Sequence, residues 1–445
     1  MTDASDEVRA LDARHVWHPF TQAGTAPPPL VAVRGAGARV WDADGREYLD
    51  LVSSWWVNLH GHGHPAIAAA VARQAARLEQ VIFADFTHEP AIRLAARVAA
   101  LLPGDLDRVF YSDDGSTAVE VALKMAHQFW RNRGENRGRY VAFAGGYHGD
   151  TVGAMSAGRS SGYFTAWHDL LFPVTAVPFP ATWEGDDTVE AKEAAALAAL
   201  DAALEDGDVA AVLMEPLIQG AGGMRMCRPD FLRAVAARVE AAGSLLILDE
   251  VMTGFGRTGA DFACGKAGIR PDLVCLSKGL TGGFLPLAMT VARETIWEAF
   301  LGRDLERAFL HGHSYTANPV GCAAGLASLD LLLAPECRAR IAAIEAIHRD
   351  RLAALAGHGG IARPRHCGTV AAFDIVAGGG AEGGGYGAAV GARIKQACLD
   401  RGILLRPLGN VLYLLPPYCV EDAELHLAWD VVGDVLAGLA VSATG

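Results

Sequence analysis

Between residues 64 and 325, helical stretches alternate with short apolar runs such as Ala210–Met214, Leu245–Leu248 and Leu273–Leu276. That alternation specifies an open, mostly parallel sheet with helices packed on it, an α/β fold. Two of the runs stop abruptly at one ionisable side chain: Leu246-Ile247-Leu248 is followed by Asp249, and Leu273-Val274-Cys275-Leu276-Ser277 by Lys278. Ligands of such sheets bind outside the carboxyl ends of the strands. A carboxylate and an amine would therefore be presented together at that edge. The 29 residues from 249 to 278 suffice for one crossover between neighbouring parallel strands.

A lysine after an apolar strand is ordinarily just the first solvated residue of a loop, so the pair gains meaning only from its company. Phe110-Tyr111-Ser112-Asp113-Asp114-Gly115-Ser116 leads from a strand into a helical pattern with Val119, Ala122, Leu123, Ala126 and Trp130 on one face. Such a helix start aims free N–H groups at an anion, although an ordinary N-cap reads the same way. In Phe143-Ala144-Gly145-Gly146-Tyr147-His148-Gly149-Asp150-Thr151, glycines on both sides let an aromatic ring approach a ligand. An anion seat, an aromatic face, a carboxylate and an amine are together what pyridoxal phosphate chemistry requires. The lysine anchors the cofactor's aldehyde, and the acid keeps the ring nitrogen protonated.

The chain resembles the class III (ω-type) aminotransferases, pyridoxal phosphate enzymes of fold type I. The resemblance rests on His15-Val16-Trp17-His18-Pro19-Phe20, Ser53-Ser54-Trp55-Trp56, Tyr147-His148-Gly149-Asp150-Thr151, Gln219-Gly220-Ala221-Gly222-Gly223-Met224, Thr253-Gly254-Phe255-Gly256-Arg257-Thr258-Gly259, Ser277-Lys278-Gly279-Leu280-Thr281-Gly282-Gly283 and Arg406-Pro407-Leu408-Gly409. The opening segment and the paired tryptophans narrow it to the biotin-biosynthetic branch, which aminates a keto acid whose ketone lies far from its carboxylate.

The resemblance implies pyridoxal 5'-phosphate as cofactor, with Lys278, Asp249 and Tyr147 as catalytic residues. It implies cofactor contacts from Gly115, Ser116, Tyr147, Glu215, Asp249, Val251, Lys278 and Ser314, the last supplied by a neighbouring subunit of a homodimer with shared sites. For small-molecule substrates it implies Phe20, Trp55, Trp56, Tyr147, Arg257, Gly312 and Arg406, with Arg406 taking the acceptor's carboxylate and Arg257 that of the amino donor. Glu215 and Arg257 also admit structural readings. The expected donor is S-adenosylmethionine, with lysine as the alternative because Phe20 stands where a tyrosine is usual and His313 where a proline is; the other reading is a class III aminotransferase acting on an ω-amino acid or diamine with a 2-oxo acid. The domain pattern expected is 1–63 as the N-terminal part of a small α+β domain, 64–325 as the large cofactor-binding domain, and 326–445 as the rest of the small domain.

A net charge of −13 with no basic run excludes nucleic acid and anionic membrane as natural partners. The acidic N-terminus is unlike a signal peptide, and no apolar stretch is long enough to span a bilayer. Eight scattered cysteines without Cys-x-x-Cys spacing read as reduced, mostly buried thiols, with no metal site. The expected location is the cytoplasm. Residues 31 to 52 read as a strand pair around Asp42-Ala43-Asp44-Gly45, and a long helical pattern follows Cys322-Ala323-Ala324-Gly325. Residues 378–385 read as a flexible surface loop, and 184–205, with Glu190 and Glu193, as a solvated helix face.

Overall fold

The computed structural model describes residues 4–355, 357–376 and 389–441. Its central sheet has seven strands: β1 (Arg108–Ser112), β2 (Arg139–Phe143), β3 (Thr175–Val177), β4 (Val209–Met214), β5 (Leu245–Asp249), β6 (Leu273–Leu276) and β7 (Ala288–Ala292). They lie in the order β1-β7-β6-β5-β4-β2-β3. The five strands from β6 to β3 run parallel, and β7 is antiparallel to both β6 and β1. Every residue of β4 to β7 is buried. Successive side chains of a strand point to opposite faces, so Leu246, Leu248, Val212 and Val274 join one apolar core while Ile247, Leu213 and Cys275 join another. Phe231, Leu232, Val235 and Val239 of helix Pro229–Ala241 cover the first face, and the helix Gly115–Asn132 covers the second. This is the fold-type I α/β architecture.

Register brings the two strand ends together: β5 and β6 pair as Ile247 with Leu273 and Asp249 with Cys275. The crossover between them contains only a short helix, Ala263–Ala267, among turns.

The segment around residues 31 to 52 forms three antiparallel strands, Ala32–Ala36, Arg39–Asp42 and Glu47–Asp50, with Gly45 at φ +78° in the second turn. Ile403–Leu404 then adds in parallel to Glu47–Asp50, tying the two ends of the chain into one sheet. A further sheet joins Ile361–Cys367, Val370–Ile375 and Val411–Leu414. The long helical pattern is two helices, Pro319–Leu332 and Pro335–Leu355, bent by 70°, and the first begins upstream of Cys322 because Asn318 caps it by accepting from Val320 and Gly321 N–H. Helix Val189–Leu204 is not simply a solvated face: Glu193 is buried, and Arg228 bonds both Glu193 and Glu190. All eight cysteines are free, five of them buried. Residues 378–385 lie outside the described residues. Among the described residues no single helix is long and apolar enough to cross a membrane.

Candidate active site

A cavity of about 550 Å³ opens at the carboxyl ends of β4 to β6. Gly115, Ser116, Tyr147, Glu215, Asp249, Val251 and Lys278 all line it, as do Phe20, Trp55, Trp56 and Arg406. Residues separated by up to 393 positions, from Phe20 to Tyr413, thus face one space.

Asp249 ends β5 and is buried; its Oδ1 accepts from Val251 N–H at 3.1 Å and its Oδ2 from His148 Nδ1 at 2.8 Å. Burial alone would lower the His148 pKa, but the bond and charge of Asp249 outweigh it and the pKa is raised. The imidazole therefore holds a proton towards the carboxylate and fixes its orientation. Lys278 follows Ser277, whose hydroxyl donates to Leu287 O at 2.9 Å. Its backbone sits at φ +41°, a strained setting for a residue with a Cβ, typically costing about 1–3 kcal/mol. Its Nζ lies 4.9 Å from the centre of the Trp56 ring. Burial lowers the Lys278 pKa, partly countered by Asp249 and Glu215. That favours the neutral amine a nucleophile or base needs.

Glu215 makes no salt bridge among the described residues, although the nearby His148 charge favours its ionised form. Its two oxygens accept from Tyr147 N–H and Gly220 N–H, each at 2.9 Å, so it joins the two loops that wall the cavity. Burial pushes its pKa up to about 7. Tyr147 stacks on Phe164 at 5.8 Å, and burial with the Asp150 charge raises its phenol pKa.

The helix Gly115–Asn132 starts with Asp114 as N-cap, accepting from Thr117 N–H, and Thr117 Oγ1 accepts from Asp114 N–H in return. The N–H groups of Gly115 and Ser116, in the first turn, have no intrahelical acceptor. A Cβ on Gly115 would come 2.7 Å from Val251 Cγ1. Gly149, at φ +117°, leaves no room either: a Cβ there would sit 2.1 Å from Ser116 Oγ. Glycine at both positions lets the helix start, the Tyr147 loop and the end of β5 close on one space.

Trp55 and Trp56 are neighbours in sequence yet line the same cavity. Ser53, Ser54 and Trp56 all have positive φ, and the kink is held by Asp50 Oδ2 accepting from Ser54 N–H. Trp56 is buried and donates Nε1–H to Tyr413 Oη at 2.9 Å; Trp55 is 39% exposed. The Arg406 guanidinium lies 4.7 Å over the Trp55 ring, and Phe20 meets Trp55 edge-on at 5.7 Å.

Three expected site residues lie elsewhere. Arg257 does not line the cavity: it is fully buried and donates to Pro416 O at 2.8 Å and Asn58 O at 3.0 Å. A guanidinium donating to two carbonyls clamps the segments of Asn58 and Pro416 together. Gly312 and Ser314 are exposed, in a segment whose His313 lies 3.4 Å from Asp113. Several cavity residues received no role from the sequence, His148, Tyr163 and Tyr413 among them. His148 could have been suspected from its place beside Tyr147. Tyr163 and Tyr413 carry no local signal, being brought in by distant segments, whereas Leu408 sits in the segment of Arg406.

The sequence profile of the family described as aminotransferase class-III matches residues 20–436. The chain belongs to the class-III aminotransferases. A relative from Synechococcus elongatus named adenosylmethionine-8-amino-7-oxononanoate aminotransferase is 59% identical over 422 residues, covering 95% of this chain and 98% of its own. One of the same name from Geobacter sulfurreducens is 40% identical over 433 residues, covering 95% and 96%. Among solved structures, the Methanocaldococcus jannaschii protein of that name has a TM-score of 0.90 at 33% identity, covering 98% of this chain and 99% of its own. An (S)-enantioselective omega-transaminase from Thermomicrobium roseum has a TM-score of 0.91 at 31% identity, covering 99% of each. A differently named transaminase matches the backbone as well as one of the same name as the curated relatives, so the backbone does not select the substrate. The cavity wall must.

Proposed function

We propose that this aminotransferase moves an amino group from S-adenosylmethionine to 8-amino-7-oxononanoate, giving 7,8-diaminononanoate in biotin biosynthesis, with pyridoxal 5'-phosphate as cofactor. The observation that carries the reading is the cavity wall, where Phe20, Trp55 and Trp56 make an apolar passage from beside Lys278 outward and Arg406 lies over Trp55 as a cation. Such a passage suits an acceptor with a long hydrocarbon chain between its reacting ketone and its carboxylate. The name of the 59% identical relative points the same way.

The residues present fit the cofactor: a buried amine, a buried carboxylate with a proton-bearing histidine behind it, and a helix start relieved of Cβ atoms surround one cavity. Pyridoxal phosphate, when bound, supplies the electron sink that lets an amino group leave one carbon and be delivered to another. Lys278 would hold it covalently, Asp249 its ring nitrogen, Gly115 and Ser116 its phosphate, and Tyr147 and Val251 the faces of its ring. Lys278 Nζ, once released, would carry a proton between the substrate carbon that bears the amino group and the cofactor, and its lowered pKa suits both taking and giving it. His148 keeps Asp249 in one orientation, and Glu215 holds the Tyr147 loop against the Gly220 loop. Arg406 holds the acceptor's carboxylate at a distance from Lys278, while the aromatic wall excludes water.

The active unit of this reading is a cytoplasmic homodimer in which Gly312 and Ser314 reach the neighbouring subunit's site; their exposure here is compatible with that role. Division at 1–63, 64–325 and 326–445 belongs to the same reading. A panel of amino donors offered with 8-amino-7-oxononanoate tests it, with formation of the diamine measured. S-adenosylmethionine should support turnover and lysine should do so poorly. Turnover with lysine alone would replace the donor, and turnover only with simple amines and pyruvate would replace the whole assignment.

A further inference from the structure

Another cavity, of about 520 Å³, is lined in part by Gly222 and Gly223, next in sequence to Ala221 of the cavity described above. Four cationic side chains line it: Lys192 from helix Val189–Leu204, Arg225 from strand Arg225–Met226, and Arg363 and Arg365 from strand Ile361–Cys367. Two carboxylates oppose them. Asp374 lies 2.9 Å from Arg365 and 3.4 Å from Arg363, and Asp186 pairs with Lys192. Among the described residues four cations thus face Asp374 and Asp186, with Glu215 acting on Arg225 from further off, in a chain whose net charge is −13. Like charges gathered in a concave, partly desolvated space repel one another unless an anion joins them.

The polar groups are incompletely satisfied as well. Arg225 donates from Nη2 to Ala144 O at 3.0 Å, but its Nε is buried without a hydrogen-bond partner among the described residues. Trp183, on the rim, has Lys192 Nζ at 4.0 Å and Arg363 at 5.1 Å from its ring centre, which holds both cations at the opening. Arg363 itself sits at φ +52° in a break of register between Ala362 and Arg365.

We propose that this cavity binds a small metabolite bearing a carboxylate or phosphate, held by Arg225, Arg363 and Lys192 with Trp183 at its edge. Planar guanidinium groups and an ammonium around one space are the donor set for such an oxyanion. The site stands next to the active site: Arg225 bonds the carbonyl of Ala144, three residues before Tyr147, and Arg365 donates to Gly223 O and Met224 O, each at 2.8 Å.

The test is calorimetric titration of the cofactor-loaded enzyme, whose phosphate seat is already filled, with inorganic phosphate and with citrate at constant ionic strength. At least one should bind saturably at one per chain in the millimolar range or tighter, and which one does so separates a phosphate from a carboxylate ligand. Arg363→Ala and Lys192→Gln, both at the partly exposed rim, should each weaken binding about tenfold with the cofactor's absorbance unchanged. Ligand-dependent quenching of tryptophan fluorescence should disappear in Trp183→Phe. Absence of saturable binding by either probe, or equal affinity in the Arg363→Ala enzyme, would overturn the proposal.

Discussion

Glu215→Gln should make the cofactor-free protein more stable at alkaline pH, although it removes a charge that accepts two hydrogen bonds. The Glu215 carboxyl rises from 4.5 to about 7 on folding because burial disfavours its charged form more than the N–H groups of Tyr147 and Gly220 favour it. Between those values the folded chain keeps a proton that the unfolded chain releases. Stability therefore falls as pH rises from 4.5 to about 7, and the full deficit, about 3 kcal/mol, persists above that window. Glutamine resembles the protonated acid: one oxygen accepts, while its NH2 group opposes the other N–H. The variant should match the parent below pH 4.5 and exceed it by about 3 kcal/mol near pH 8. Denaturant unfolding of both cofactor-free proteins across this range measures the difference directly. A difference that stays constant with pH would refute the burial argument, and a variant less stable at alkaline than at acid pH would show that the two N–H bonds dominate.

Three further outcomes follow from the active site. Asp249→Asn should retain the cofactor but lose most of kcat, because an amide cannot stabilise a positive ring nitrogen; His148→Phe should lower kcat less, and a near-normal kcat in Asp249→Asn would place the nitrogen's partner elsewhere. Arg406→Ala should raise KM for 8-amino-7-oxononanoate about 30-fold, roughly 2 kcal/mol for losing a half-buried carboxylate partner, whereas equal damage to the donor half-reaction would make it a shared or structural residue. Phe20→Tyr restores a hydroxyl worth about 0.5–1.5 kcal/mol, so KM for S-adenosylmethionine should fall several-fold with little change for the acceptor. An unchanged donor KM would remove Phe20 from the donor's contacts.

Asp249, Lys278, Gly115, Ser116 and Tyr147 were legible in the sequence because each lies at or just beyond the end of a strand-type run, and in an open α/β sheet such ends share one edge. The paired tryptophans were legible as residues, but not the three positive-φ positions that turn both rings to one side. Helix positions such as Glu193 were misjudged because composition gives no sign of Arg228, 35 residues on, packing against them.

What the sequence determined alone was therefore the α/β alternation and the local chemistry of each strand end, both set by interactions among near neighbours. Tertiary packing decided the rest. It set the Arg257 guanidinium against two carbonyls, gave Asp249 a histidine 101 residues distant, and used Glu215 to join two loops. Those outcomes depend on which buried donor lies nearest to which acceptor when the sheet, the terminal strands and the loops close together, and sequence spacing does not encode that distance.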